Sequence, residues 1–273
     1  MVTTTSSTSV DAYAEPFEVV PRTLFAVGGL VEMDGRASWS PVDKGWQPAN
    51  TYVFVDGDTL LIDPGLPAVE QGVMAGLQQL ISKDQALKIF LSRAQFDSVG
   101  NLGRIIAKYD VQEIFTGGMR NRFDQFEEAM SVESDRVRPI VVERTPEESR
   151  LEIYKPSLRI LSTYWGYDAR SKVVFTSDAF SHGILDDNRR DSIAIDSGAD
   201  DRITVDDVRA HLHASFWWLP LADKRALTED LRNFFSSHEV EVIAPARGQV
   251  LRGADVVKRH VDLVVEVLEE RGQ

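Results

Sequence analysis

The segment Ser92-Arg93-Ala94-Gln95-Phe96-Asp97-Ser98-Val99-Gly100 follows an apolar run, Leu87–Leu91, and sets Arg93, Gln95 and Asp97 at alternate positions. Gln95 and Asp97 carry oxygen donors that suit a metal ion, and the spacing lets them converge on one ligand. Arg93 breaks that reading, because a guanidinium stays protonated and offers donors but no lone pair. A second carboxylate, Asp178, lies in Phe175-Thr176-Ser177-Asp178-Ala179-Phe180, and a second guanidinium, Arg247, in Pro245-Ala246-Arg247-Gly248. Two carboxylates facing two arginines need no metal for charge balance, and ionised groups inside a protein are costly unless paired. The expectation is that Arg93 and Arg247 pair with Asp97 and Asp178, with Asp63 as a further candidate. Three roles stay open for the arginines: a structural ion-pair network, forked recognition of an anionic or carboxylate ligand, and a reorganised catalytic site. Asp63 also reads as a turn cap before Pro64-Gly65, and Asp97 as a cap on the helix that follows.

Nucleophilic and metal chemistry have few other carriers. All five histidines, His182, His211, His213, His238 and His260, lie in the second part of the chain, and the first 181 residues hold none. His182 falls four residues after Asp178, and a Ser98–His182 or Ser162–His182 pair would support proton transfer or nucleophilic attack if the side chains meet. Surface placement is the plainer alternative. His211 and His213, two apart on a helix, point in different directions, so one can face a pocket while the other packs or is exposed. His238 and His260 read as ordinary. Cysteine is absent, which removes disulfides, thiolate catalysis and thiolate metal sites. Gly28-Gly29 and Gly117-Gly118 follow expected strands without the spacing of a phosphate-binding loop.

Positioning these groups requires strands that end at them. Thr51–Val55 and Thr59–Ile62 flank Asp56-Gly57-Asp58 as a hairpin. Val69, Val73, Leu77 and Leu80 predict a helix over 68–81. Strands are expected at 87–91, 111–116, 140–142, 152–154, 158–162, 172–176 and 239–244, and helices at 102–109, 120–137, 224–235 and 254–269. Thr204-Val205-Asp206-Asp207 predicts a capping box opening a helix through His211, His213 and Phe216-Trp217-Trp218 up to Pro220. Hairpins followed by strand–helix units occur twice, giving one α/β domain of two pseudo-equivalent halves over 17–273, preceded by a loose Ser/Thr-rich tail over 1–16. Trp39, Trp46 and the nearby prolines suggest a loop that covers the pocket.

The chain carries 30 Lys and Arg against 43 Asp and Glu, a net charge of -13, which disfavours nucleic acid and anionic membrane surfaces as partners. No signal peptide is recognisable and no apolar run reaches about 18 residues, so a cytoplasmic protein without a membrane span is expected.

The order and spacing of these segments resemble the metallo-β-lactamase fold, and within it the diiron domain of flavodiiron proteins. That family places Thr/Ser-His-x-His/Glu-x-Asp-His-x-Gly after a strand, then a lone His, then Ser-x-Asp-Ala-Phe, then Pro-x-His-Gly. In this chain Arg93 stands at the first ligand His, Gln95 at the second ligand, Ser98 at the adjacent His and Arg247 at the last His, while Asp97, Gly100 and Asp178 are retained. Ser162 or Thr163 occupies the neighbourhood of the lone His. The resemblance implies a four-layer αββα sandwich, and the substitutions imply that dinuclear metal catalysis is lost, with no cofactor expected. No flavodoxin-like extension follows the last helix, so flavin-dependent oxygen or nitric oxide reduction by this chain alone is not expected.

The expected function is therefore metal-independent binding of a small organic or anionic ligand, or of a protein partner, through Asp63, Arg93, Gln95, Asp97, Ser98, Asp178, His182 and Arg247, with a homodimer possible. The alternatives are an enzyme that reuses the pocket for metal-free chemistry in a specialised pathway, and an atypical metal-binding hydrolase or oxygen-related diiron-like protein.

Overall fold

A computed structural model describes residues 8–116, 137–139 and 150–270. In the first half β1 (Val10–Ala12), β2 (Phe17–Val20), β3 (Leu24–Glu32), β4 (Trp46–Phe54) and β5 (Thr59–Ile62) are followed by α1 (Glu70–Leu80), β6 (Leu87–Leu91), α2 (Phe96–Val99), α3 (Leu102–Lys108), β7 (Val111–Thr116) and β8 (Val137–Pro139). The strands form one sheet in the order β1-β3-β4-β5-β6-β7-β8, with β2 also on β3. It is antiparallel through β5 and parallel from β5 onward.

The second half contains β9 (Glu152–Tyr154), β10 (Trp165–Asp168), β11 (Val173–Ser177), β12 (Ala194–Ile195), α4 (Val205–Ser215), α5 (Lys224–Ser237), β13 (Val242–Pro245), β14 (Val250–Arg252) and α6 (Ala254–Glu269). Its sheet runs β12-β14-β13-β11-β10-β9.

The layers follow from side-chain alternation, since successive strand residues point to opposite faces. In β4 and β5, Tyr52, Phe54, Leu60 and Ile62 face a core between the sheets, while Val53 and Leu61 face α1 and α3. In β11 and β13, Val173, Phe175, Val242 and Ala244 meet that central core from the other side, while Val174 and Ile243 join the cluster under α4, α5 and α6. Three apolar interfaces thus separate four layers, helices outside and sheets inside. α1 presses on β3 so closely that a Cβ on Gly72 would lie 1.8 Å from the Gly28 carbonyl oxygen, which demands glycine at that crossing.

Several sequence expectations are corrected. Residues 10–12, read as tail, form β1, because their backbone pairs with β3 at Val10↔Val31 and Ala12↔Gly29. Gly28-Gly29 lie inside β3 rather than after it, and Trp46 belongs to β4, which starts five residues before the expected hairpin strand. The strand expected at 158–162 does not form: Leu161 has φ 50°, and the Thr163 hydroxyl donates to the Ile160 carbonyl to close a turn. The capping box at Thr204 and Asp207 is present, but α4 stops at Ser215 because Phe216 leaves helical geometry to bury in the core. The glycine pair at 117–118 and the strand expected over 140–142 lie outside the described residues. So does the helix expected over 120–137, except that Val137 opens β8.

Candidate functional site

The site lies beyond the carboxyl ends of β5, β6, β11 and β13, where open α/β sheets collect ligands. Asp63 follows β5 directly, Arg93 follows β6 by two residues, Asp178 follows β11 directly and Arg247 follows β13 by two residues. The backbone bends sharply there: Asp63, Ser177 and Phe180 have φ values of 51°, 53° and 62°, a left-handed conformation that non-glycine residues rarely adopt. β4 holds the Arg247 turn from the opposite sheet. The Asn50 side-chain amide donates to the Pro245 and Gly248 carbonyls at 3.2 and 3.0 Å, and the Tyr52 hydroxyl donates to the Pro245 carbonyl at 2.7 Å.

Arg93, Asp97, Asp178 and Arg247 close into a ring. Arg93 Nη2 reaches Asp97 Oδ2 at 2.6 Å and Nη1 reaches Asp178 Oδ2 at 2.8 Å. Arg247 Nη1 lies 2.7 Å from the same Asp97 Oδ2, and its Nη2 donates to Asp178 Oδ1. Arg93 also donates to Ser98 Oγ, from Nε at 3.2 Å and from Nη2 at 3.1 Å. The side chains of Arg93, Arg247 and Asp178 are 6%, 4% and 2% exposed, and only Asp97, at 23%, opens toward solvent. Burial opposes the charge on Asp97, but Arg93 and Arg247 outweigh it and hold its carboxyl below the usual range. Trp39 covers the ring, its indole 4.7 Å from the Arg247 guanidinium carbon, within cation–π range.

Asp63 takes a separate role. Its carboxylate accepts from the Ser92 N–H at 2.8 Å and the Ser92 hydroxyl at 2.6 Å, so it clamps the start of the Arg93 turn instead of joining the ion pairs. Burial raises its pKa to about 7 against the lowering effect of these bonds. Gln95 is half-buried, with its side-chain oxygen unpartnered. Asp97 lies inside α2 and points at the arginines, while Asn101 holds the N-cap position of α3, the helix Asp97 was expected to cap.

Neither serine–histidine pair forms. Ser98 is held by Arg93, Ser162 is exposed, and His182 Nε2 is 2.8 Å from His260 Nδ1 while its Nδ1 has no partner. His211 is buried, and its Nε2 donates to the Asp178 carbonyl at 3.1 Å, whereas His213 is exposed. Burial, with a smaller effect from Arg247, lowers the His211 pKa to about 4. Trp46 is not part of the cover over the arginines, since its ring stacks under Arg190 at 3.7 Å. His260 is fully buried and faces Asp201, contrary to the ordinary role expected of it. The signal for His260 was present in sequence, because it sits between Val256 and Val264 on the apolar stripe of α6.

The donor set does not fit the dinuclear metal centre implied by the family resemblance. Two guanidiniums stand where lone-pair donors would be needed, and among the described residues no group of three or more His, Cys, Asp or Glu is placed to hold a metal ion.

No protein-family model and no curated protein sequence matches the chain. Solved structures do. The rubredoxin oxygen:oxidoreductase of Desulfovibrio gigas superposes with TM-score 0.70 at 17% identity, over 94% of this chain and 62% of that one. A fragment of the putative diflavin flavoprotein A 5 of Nostoc sp. gives 0.68 at 13% identity over 95% and 97%. The apo chemotaxis sensor ODP of T. denticola gives 0.62 at 16% over 94% and 94%. The chain thus spans about 62% of the length of the Desulfovibrio protein. At these identities the likeness carries the fold: a metallo-β-lactamase-type αββα sandwich of the kind seen in flavodiiron proteins.

Proposed function

We infer that the protein is a metal-independent binding protein that uses this sandwich as a rigid scaffold for a small organic ligand. The observation that carries the reading is the closed ring of two arginines and two aspartates. Its two arginines stand at sequence positions where the resemblance puts metal-ligand histidines, and the ring balances its own charge, so no cation is needed to stabilise Asp97 and Asp178.

The same ring favours an uncharged ligand over an anion. Both terminal nitrogens of each guanidinium are already committed to carboxylates, leaving no fork free for bidentate capture. A ligand would meet the ring at the Asp97 edge and beneath Trp39.

Expression in medium supplemented with iron, zinc and manganese, followed by dialysis and elemental analysis, tests this. Negligible metal is expected, and stoichiometric, tightly held metal would sink the reading. A second reading, metal-free catalysis, is favoured by one feature, the buried contact of His182 with His260 and of His260 with Asp201. Among the described residues no helix is long and apolar enough to cross a membrane.

A further inference from the structure

His211, whose Nε2 donates to the Asp178 carbonyl, also lines a separate cavity of about 220 Å³. None of Arg93, Asp97, Asp178 and Arg247 lines it. Its size exceeds the ~150 Å³ of an engineered cavity that takes up benzene, so a molecule of at least that size fits. The buried residues Gln47, Ser181, His182, His211 and Gln249 form its floor, and Val42, Ile184 and Ile203 give it apolar sides. Five charged residues complete the lining: Asp186, Asp200, Arg202 and Asp207 are exposed and Arg189 is half-buried, which places them at the mouth.

The polar groups of the floor are committed within the protein. The Gln47 amide nitrogen donates to the Ser181 carbonyl at 2.8 Å, and its oxygen accepts from the Trp39 indole at 3.0 Å. Gln249 Nε2 donates to the Ser192 carbonyl at 2.7 Å, and the Ser181 hydroxyl to the Ser177 carbonyl at 3.3 Å. His182 is engaged with His260, and His211 with Asp178. The floor therefore offers surface to fill, and recognition falls to the charged mouth.

Both signs of charge line that mouth, yet among the described residues none of the five is ion-paired. Their neighbours in the chain do pair: Arg190 reaches Asp11 and Asp187 at 2.7 Å each, and Arg259 reaches Asp201 at 2.6 Å. Arg189 donates only to the Asp200 carbonyl at 3.2 Å and the Ser192 hydroxyl at 3.3 Å, which ties it to the stretch that carries Arg202. The Asp186 carboxylate makes no cap bond on the turn that follows it. Asp207 spends one oxygen on the Thr204 N–H and hydroxyl at 2.8 and 2.6 Å, and Asp200 spends one on the Ser197 hydroxyl at 2.8 Å. A plain anion entering here would face three carboxylates, and a plain cation two guanidiniums. Only a molecule that bears both charges complements both sets.

We propose that this cavity binds a small zwitterion of the α-amino-acid class with an apolar side chain. The ligand carboxylate takes the guanidiniums of Arg189 and Arg202, its ammonium takes Asp186, and its side chain packs on Val42, Ile184 and Ile203. Asp200 and Asp207 offset the two arginines and so disfavour an anion that lacks the ammonium. Charge-assisted bonds of this kind are directional and about twice as strong as neutral ones. The site lies outside the arginine–aspartate ring, so the inference goes beyond the reading of that ring and does not rest on it.

The test is calorimetric titration of the full-length protein at neutral pH with L-leucine and two analogues of the same skeleton. 4-Methylpentanoate lacks the ammonium, and 3-methylbutylamine lacks the carboxylate. L-Leucine should bind at least about tenfold more tightly than either. Arg202→Gln should weaken L-leucine about tenfold and leave 3-methylbutylamine unchanged, whereas Asp186→Asn should weaken L-leucine and 3-methylbutylamine but not 4-methylpentanoate. Both positions are exposed, so the variants should keep the unfolding midpoint of the wild type, and the comparison of the three ligands on the wild type needs no variant. No binding of L-leucine at millimolar concentration overturns the proposal. So does an analogue that binds as tightly as L-leucine, which would make the cavity a site for a single charge, or an L-leucine affinity that neither substitution changes.

Discussion

Arg247→Ala is expected to cost about 3–5 kcal/mol of stability, read by urea unfolding at neutral pH, because it strands a carboxylate in a buried site. Removing Arg247 leaves Arg93 alone to face both Asp97 and Asp178, and Asp178 is 2% exposed. The excess negative charge has no access to water at that residue. The companion double variant Arg247→Met with Asp97→Asn restores neutrality, since one cation and one anion remain, Arg93 with Asp178 at 2.8 Å. It should therefore be more stable than Arg247→Ala, with a coupling between the two sites of about 0.5–3 kcal/mol. If Arg247→Ala unfolds like the wild type, the ring contributes nothing to folding and its arginines are free for another task. If the double variant is as damaged as the single one, the loss comes from packing under Trp39 and not from charge.

Two buried titratable groups near the ring should give stability opposite dependences on pH. His211, with its pKa lowered from 6.5 to about 4 by burial, favours the folded state fully above the unfolded value. That contribution is lost as pH falls from about 6.5 to about 4, because only the unfolded chain then takes up the proton; the size is of order 3 kcal/mol. Asp63, raised from 3.8 to about 7 by burial, behaves in reverse. Its folded form holds a proton that the unfolded form gives up, so its penalty grows as pH rises from about 4 to about 7, up to about 4 kcal/mol. In the wild type the two largely cancel across the overlapping window. Substitution separates them. His211→Gln keeps a donor for the Asp178 carbonyl and should gain stability relative to the wild type as pH falls through that window. Asp63→Asn still accepts from the Ser92 N–H and should gain relative to the wild type as pH rises through it. Parallel denaturation curves at four pH values decide the matter, and difference slopes of the same sign for both variants would contradict the assignment.

Much of the fold was legible because local rules govern it. α6 begins and ends at the expected residues, since its apolar stripe from Val256 to Leu268 is read directly from helical spacing. β6, β7 and β9 also fall where the apolar runs place them. The ion-pair ring was legible in its membership but not in its wiring. Arg93, Asp97, Asp178 and Arg247 stand out as polar groups at strand ends, yet Asp63 was grouped with them although its partner is Ser92. That choice depends on which sheet edge a carboxylate faces, and no local pattern encodes it. The Asn50 and Tyr52 bonds to the Arg247 turn join residues about 195 apart in sequence, and the His182–His260 contact spans 78. The Asn50 and Tyr52 bonds arise only when the halves dock, and the His182–His260 contact only when α6 packs within the second half. β4 was cut short because Trp46-Gln47-Pro48 lacks the β-branched pattern of the strand that continues it, and full burial by neighbours, not propensity, keeps it extended.

Arg93 and Asp97 belong to one half of the sandwich, and Asp178 and Arg247 to the other, so the ring exists only after the two sheets have met; the Arg247–Asp97 pair alone bridges 150 residues. Contacts of such separation carry a heavy loop-closure cost and form late on the way to the native state. An interaction absent from the folding transition state changes the unfolding rate and leaves the folding rate nearly untouched. The ring should therefore act as a latch on the native lifetime: loosening it would accelerate escape from the folded state while the chain finds that state as quickly as before.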